Sequence, residues 1–304
     1  MKSFLKEVNL GLSKKNKKLS SKWFYDFRGS KLFEQITRLK TYYPTRTERK
    51  ILKDNKIEIA NKIGKRAVLI EPGAGDFKKI AIFLKNLDKP KKYIPLDISE
   101  DYINKVSQSF KKKFPKIAIT PKGYDFSRNN KLPFKINSSE NIIIFFPGST
   151  IGNFDKKDAV KFLKMLKSKF KAKKIIIGAD LVKDIPTLIT AYDDKKGVTA
   201  NFNKNILRRI NTELGADINL NSYKHLAIYN KQKKRIEMRL KSKKRNNIRI
   251  NGSNYLIKKN EEIHTENSHK YTIKSFKNLA NKAGWKLDKT WVDDKKLFSV
   301  HCLS

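Results

Sequence analysis

Val68-Leu69-Ile70-Glu71-Pro72-Gly73-Ala74-Gly75-Asp76-Phe77-Lys78-Lys79 is the stretch that decides the fold. Three strand-forming residues feed a turn with two glycines, and Phe77, Ile80, Ala81 and Leu84 then recur along one helical face. Glycines at a strand-to-helix turn let the backbone bend sharply and let a ligand lie against bare main chain. Any parallel βα unit can end in Gly-x-Gly, so the turn alone does not separate a nucleotide-type site from a plain connection. The ends of the next strands carry the decision.

Outward from this stretch, strands and helices alternate. Apolar runs predict strands at 67–70, 93–96, 117–120, 142–146 and 175–177. The fourth and fifth are continuously apolar, as expected where helices cover both faces of a sheet. Between them Ala159, Phe162, Leu163, Leu166 and Phe170 keep helical spacing, and Asp155 with Asp158 resembles a capping arrangement. This is a doubly wound, Rossmann-like α/β pattern with right-handed crossovers. After Asp180 the alternation breaks. Residues 183–270 mix helical stretches (187–192, 203–211) with strand-like ones (235–240, 247–250, 255–257). The tail reads as a helix through Ile273, Phe276, Leu279, Ala280 and Ala283, then two closing strands around 285–291 and 297–303.

The N-terminal segment has helical periodicity at Leu32, Phe33, Ile36 and Leu39, and Tyr42-Tyr43 precede Pro44, where extended chain is expected. Its many aromatics suit packing on a second domain or the wall of a pocket. The organisation expected is a sheet domain of 48–181 plus 271–304, and a second α+β domain of 1–47 plus 182–270.

Bulk properties exclude several classes. In 304 residues, 70 Lys and Arg stand against 29 Asp and Glu, a net charge of +41. Such a surplus suits nucleic acid or an anionic surface. Here, however, it is overwhelmingly Lys and spread through nearly every segment, so solvated faces are the favoured account and nucleic acid is not the expected partner. A single cysteine, Cys302, rules out a disulfide framework and a cysteine metal cluster. His264 and His269 are five apart, off a shared helical face, and His225 and His301 lack partners in sequence, so no metal is expected. Charges interrupt every apolar run in residues 1–20, and no run nears the roughly 18 residues of a membrane span. A soluble, cytoplasmic monomer acting on a small molecule is the expectation.

Ligands of open α/β sheets bind beyond the carboxyl ends of the strands. Gly73 and Gly75 follow strand one. Asp97 ends strand two, about 20 residues on, where a carboxylate accepts from both ribose hydroxyls; with Glu100 three residues later it also reads as a helix cap. Asp125 can accept from an adenine amino group with Phe126 covering the ring, or can be a turn residue after Gly123. A pyrophosphate cofactor wants a third glycine and a free helix N-terminus, but Phe77-Lys78-Lys79 stands there. A ligand with ribose and adenine but no phosphate fits better, which indicates S-adenosylmethionine, its carboxylate meeting the turn and Lys79. After strand four, Phe146-Pro147-Gly148-Ser149-Thr150-Ile151-Gly152-Asn153 lacks the Asn/Asp-Pro-Pro-aromatic turn of enzymes that methylate nucleic-acid amino groups. Ser149, Thr150 and Asn153 suit a small polar substrate, or simply form a helix-entry loop.

The sequence resembles the ergothioneine-pathway histidine Nα-methyltransferase family along nearly its whole length. Trp23-Phe24-Tyr25-Asp26, Arg28-Gly29-Ser30, Tyr42-Tyr43-Pro44-Thr45-Arg46-Thr47-Glu48 and Gly148-Ser149-Thr150-Ile151-Gly152-Asn153 carry the likeness, with Ala191-Tyr192-Asp193-Asp194, Gly197-Val198-Thr199-Ala200, Ile236-Glu237-Met238 and Thr265-Glu266-Asn267-Ser268. The resemblance implies a class I methyltransferase-type sheet and a substrate-binding second domain. It implies that Gly73, Lys79, Asp97, Asp125 and Phe126 hold S-adenosylmethionine, and that Tyr42, Asn153, Tyr192, Glu266 and Ser268 hold the amino acid, with Met238 lining its ring pocket. The activity implied is transfer of methyl groups to the α-amine of L-histidine, through to the trimethylated betaine. Tyr25 or Tyr42 would then pass the amine's proton to water. Another amino acid, such as tryptophan, or an RNA-associated role are the alternatives.

Overall fold

The computed structural model describes residues 2–75, 77–127 and 131–304; Asp76 of the glycine turn lies outside them. The chain divides into two compact units, Met1–Tyr42 with Asp184–Ser268, and Tyr43–Lys183 with His269–Ser304.

The first unit opens with α1 (Lys2–Leu12) and α2 (Phe27–Ile36). Asp26 caps α2 by accepting from the Gly29 N–H at 2.6 Å. A Cβ on Gly29 would stand 1.7 Å from the Phe24 carbonyl oxygen, so only glycine lets the helix start this close to the preceding turn.

The second unit runs through α3 (Tyr43–Asp54), α4 (Lys56–Ile63), β1 (Ala67–Pro72), α5 (Ile80–Leu84), β2 (Lys92–Asp97), α6 (Glu100–Lys113), β3 (Ala118–Ile119), β4 (Lys122–Gly123), β5 (Asn141–Phe146), α7 (Lys156–Ser168) and β6 (Lys174–Asp180). The chain then returns to the first unit for α8 (Ile185–Tyr192), α9 (Val198–Leu214), β7 (Tyr223–Asn230), β8 (Arg235–Ser242), β9 (Asn246–Ile250), β10 (Ser253–Ile257) and β11 (Glu262–His269). The second unit closes with α10 (Ile273–Lys282), β12 (Leu287–Val292) and β13 (Phe298–Leu303).

Among the described residues the main sheet has eight strands in the order β12-β13-β6-β5-β1-β2-β3, with β4 also on β2. β1 pairs in parallel with β2 and β5, β5 with β6, while β13 is antiparallel to both β6 and β12. Successive residues of the central strands point to opposite faces. Leu69, Ile143 and Ile176 join Ile51, Ile59, Phe83 and Phe110 in one core; Val68, Ile70, Ile144 and Ile177 join Phe162, Leu166, Phe276 and Trp285 in the other. This two-sided burial is why β5 and β6 read as unbroken apolar runs. It is the class I methyltransferase arrangement.

Three local expectations need correction. Tyr43 is not extended; it opens α3 with Pro44 in the first turn, where a missing N–H costs nothing. Tyr43–Thr47 fall in the second compact unit. Asp155 occupies the N-cap of α7 without a side-chain cap bond, and its carboxylate instead lies 3.6 Å from His269 Nε2. The expected third strand shrinks to Ala118–Ile119, with Lys122–Gly123 pairing separately.

In the smaller unit β11, β8 and β7 form a three-stranded sheet and β9 and β10 an antiparallel hairpin. Two of its strands, β7 and β11, have no counterpart among the strands expected from the sequence.

Candidate active site

At the carboxyl edge of the main sheet, Gly73 turns out of β1 at φ +71°, in the left-handed region that favours glycine. Its N–H and that of Ala74 both donate to the Leu96 carbonyl, at 2.7 and 3.0 Å, tying the turn to β2. A Cβ on Gly73 would lie 3.4 Å from two ring carbons of Phe126, so the first glycine and the expected adenine cover border the same space. Phe126 is braced from behind by Phe162 and Phe146, with ring centroids at 5.8 and 6.0 Å. Gly75 meets no described atom within 4 Å, so the protein's own packing does not demand glycine there.

Asp97 ends β2. It is not the cap of α6, a place taken by Ser99, but its Oδ1 accepts from the Ser99 N–H at 2.8 Å. Loss of hydration pushes its carboxyl up to about 7, against the backbone hydrogen bonds that favour its charge. Asp125 turns its own loop as well, accepting from Ser127 N–H at 3.0 Å.

The loop after β5 is held by Glu48, which stands in one of the blocks that carry the family likeness but had no role expected of it, and which takes up the expected ligand residue Lys79. Glu48 on α3 is buried and accepts from the Gly148 N–H with both oxygens at 2.9 Å, while Lys79 Nζ stands 2.6 Å from it. A Cβ on Gly178 would meet Glu48 Oε1 at 2.1 Å, so the carboxylate lies directly on β6. Lys79 is thus brought to the mouth of β5, already neutralised by Glu48. Gly148 (φ +81°) and Ser149 (φ +57°) are both left-handed, and for serine that conformation carries strain. Ser149 is fixed by its Oγ, which accepts from the Asp180 N–H at 2.9 Å. Gly152 leaves no room for a Cβ, which would lie 2.9 Å from the His269 carbonyl oxygen, and Asn153 ends this turn.

Asp180 is a second buried anion. It accepts from Tyr43 Oη at 2.8 and 2.9 Å, from Lys183 Nζ at 2.6 Å and from Lys270 Nζ at 2.7 Å. Burial opposes its charge, but the Lys270 and Lys183 ammoniums hold its carboxyl below the usual range. One carboxylate serves two ammoniums, and burial, outweighing Asp180, draws Lys183 down to about 8.

In the smaller unit the expected acceptor residues gather around aromatic rings. Tyr42 packs edge-on against Tyr192 at 6.0 Å and Phe33 at 6.2 Å; Tyr25 packs on Phe33 at 5.7 Å and Phe202 at 5.4 Å. Tyr42 is buried and Tyr25 half-buried. Tyr192 Oη and Ser268 Oγ are 2.7 Å apart. Glu266 and Ser268 are two apart on β11, so they share one face of the strand. Met238 is buried on β8, its carbonyl oxygen 2.9 Å from the Thr265 hydroxyl oxygen.

Among the described residues no group of three His, Cys, Asp or Glu side chains is placed to hold a metal, and no helix is long and apolar enough to cross a membrane. The residues at the sheet edge suit S-adenosylmethionine: a carboxylate for ribose at the end of β2, a ring beside a left-handed glycine, and an ammonium near the turn.

Residues 4–304 match the family described as histidine-specific, SAM-dependent methyltransferase. The chain is 34% identical over 295 residues to the histidine N-alpha-methyltransferase of Mycolicibacterium smegmatis, covering 95% of this chain and 90% of that protein. It is 33% identical over 302 residues to the protein of that name from Mycobacterium tuberculosis, covering 97% and 92%. It is also 36% identical over 197 residues to ergothioneine biosynthesis protein 1 of Neurospora crassa, covering 63% of this chain and 22% of that protein. With the sheet order, the glycine turn and a match that runs nearly end to end, the chain belongs to the SAM-dependent, histidine-specific methyltransferase family.

Proposed function

We propose that this protein transfers methyl groups from S-adenosylmethionine to the α-amino nitrogen of L-histidine, through to the trimethylated betaine used in ergothioneine-type biosynthesis. The observation that carries the reading is the pairing of Tyr192 with Ser268 at 2.7 Å beside Tyr42, with Glu266 on the same strand face as Ser268. Two hydroxyl groups and a carboxylate in a buried, aromatic-walled setting suit a small zwitterion with an imidazole ring. Glu266 and Ser268 would pair with the imidazole nitrogens, and Tyr192 with the amino and carboxylate end. Polar recognition of this kind rejects analogues that lack the matching groups, because the site's buried polar atoms are then left unpaired.

On the donor side Asp97 would accept from the ribose hydroxyls, Asp125 and Phe126 would hold adenine, and Gly73, Gly75 and Lys79 would receive the methionine end. S-adenosylmethionine, when bound, supplies a methyl group on a sulfonium. The chain's own contribution is alignment, which can be worth roughly 7–11 kcal/mol in favourable cases, so no covalent protein intermediate is required. Tyr25 or Tyr42 would conduct the α-amine's proton toward water. Succession to the trimethylated product requires that the nitrogen be re-aimed between transfers.

The test is methyl transfer from labelled S-adenosylmethionine to a panel of free amino acids. L-histidine is expected to be the best acceptor by kcat/KM, and imidazole propionate, which lacks the α-amine, to accept nothing. A preference for tryptophan or for RNA would overturn the substrate assignment.

A further inference from the structure

Histidine 225 lies outside every stretch that suggested chemistry, yet both of its ring nitrogens are committed. Nε2 is 2.9 Å from the Tyr192 carbonyl oxygen and Nδ1 is 2.8 Å from Asn203 Nδ2. A carbonyl can only accept, so Nε2 carries the proton and Nδ1 accepts from the amide. The Asn203 amide is itself oriented: its Nδ2 also donates to the Arg239 carbonyl at 3.1 Å, and its Oδ1 accepts from the Thr265 hydroxyl at 2.7 Å. Burial holds the ring below the usual histidine range, so it stays neutral.

The path is closed. It starts at Thr265 on β11, passes through Asn203 on α9 and His225 on β7 to Tyr192 at the end of α8, and returns through the Tyr192 hydroxyl to Ser268 on β11. The Tyr192 carbonyl lies in the last turn of α8 and receives the His225 ring at 2.9 Å. The ring N–H thus ties the end of α8 to β7, and the same tyrosine reaches Ser268 through its hydroxyl.

We propose that His225 is a positioning residue for the amino-acid acceptor: its Nε2–H holds the end of α8 so that the Tyr192 hydroxyl and Ser268 meet the acceptor as a pair. This rests on the proposed acceptor role of Tyr192 and deepens it. His225 touches no reacting atom, so its removal changes recognition of the acceptor rather than the methyl-transfer step.

Two variants separate the ring's two contacts. His225→Gln places an amide N–H near the Nε2 position and retains donation to Tyr192; His225→Asn retains an acceptor near Nδ1 and loses that donation. In steady-state kinetics with L-histidine and S-adenosylmethionine, His225→Asn is expected to raise KM for histidine about tenfold, the size of one net hydrogen bond. His225→Gln should stay within about threefold of the native enzyme, with kcat and KM for S-adenosylmethionine unchanged in both. In a Tyr192→Phe background the His225→Asn effect should largely vanish, because both changes act on the same hydroxyl. A raised KM in Tyr192→Phe with no change in a folded His225→Asn overturns the inference alone. An unchanged KM in Tyr192→Phe overturns the acceptor reading and the inference with it. Equal losses in the Gln and Asn variants, in kcat as well as KM, reduce His225 to a packing residue and also overturn the inference.

Discussion

At the carboxyl edge of the main sheet the buried hydrogen bonds centre on two carboxylates, whereas the path that links α8, α9, β7 and β11 is uncharged. At the sheet edge Glu48 neutralises Lys79 and receives Gly148, and Asp180 gathers Lys183, Lys270 and Tyr43. In the smaller unit, Thr265, Asn203, His225, Tyr192 and Ser268 exchange uncharged hydrogen bonds. Long charged side chains reach across elements and pin strained loops such as Gly148-Ser149, but removing one partner leaves a buried charge with nothing to balance it. Neutral groups each contribute about 1 kcal/mol, and their loss shifts geometry without unfolding the chain. The ionic region should therefore answer mutation with folding, and the neutral region with recognition.

The largest expected effect breaks the ionic side. Asp180→Asn strands two buried ammoniums and should cost about 3–5 kcal/mol, read as a lowered denaturant midpoint with an unchanged slope. A midpoint at the native value would show that Asp180 is not the anion those lysines need.

Glu266→Ala then tests the acceptor side, where this carboxylate stands two residues from Ser268 at the end of the uncharged path. Loss of a charge-assisted partner for imidazole should lower kcat/KM for histidine by about 100-fold, with the midpoint of unfolding little changed. Undiminished histidine kinetics would remove Glu266 from the acceptor site.

Acidity reaches the two regions differently. Burial pulls His264 down to about 4 and His301 down to about 3, so the native chain declines protons that the unfolded chain accepts below its ordinary histidine pKa of about 6.5. The contribution of these histidines should be level above that pH. As pH falls through it and on toward the native values, each of these histidines should lower stability by about 1.4 kcal/mol per pH unit. A slope between pH 6 and pH 4 that is the same in His264→Gln and His301→Gln as in the native protein would contradict their burial. At the donor site, Asp97 near 7 must be ionised to accept from ribose, so KM for S-adenosylmethionine should fall as pH rises through about 7. Asp97→Asn should raise that KM by about tenfold and flatten its pH dependence.

Gly73→Ala is the mildest expected change, about 1 kcal/mol, because the left-handed turn resists a Cβ and Phe126 stands 3.4 Å from it. Its effect should appear in S-adenosylmethionine binding and leave histidine recognition alone.

The comparison also explains what could be seen in the sequence. β1, β5 and β6 were legible because both faces are buried, which writes an unbroken apolar run. The glycine turn and Asp97 were legible because their spacing follows from the fold. By contrast β11 reads Glu-Ile-His-Thr-Glu-Asn-Ser-His, with a single apolar residue, and its burial rests on partners scattered through the chain. Asp180 and Lys270 are 90 residues apart and carry no local pattern, so the ionic node was invisible. Glu48 was visible as a letter in a matched block but not as the anion that holds Gly148, since that contact spans 100 residues. His225 sits in β7, whose apolar run Leu226-Ala227-Ile228-Tyr229 is not its buried part; Tyr223 and His225 are the residues that face inward.

The most direct measurement is fragmentation mass spectrometry of the products formed from L-histidine and S-adenosylmethionine by the purified protein. The account predicts methyl groups on the α-nitrogen, accumulating to the trimethylated betaine. Methylation of an imidazole nitrogen, or recovery of histidine unmodified while another acceptor is consumed, would contradict it.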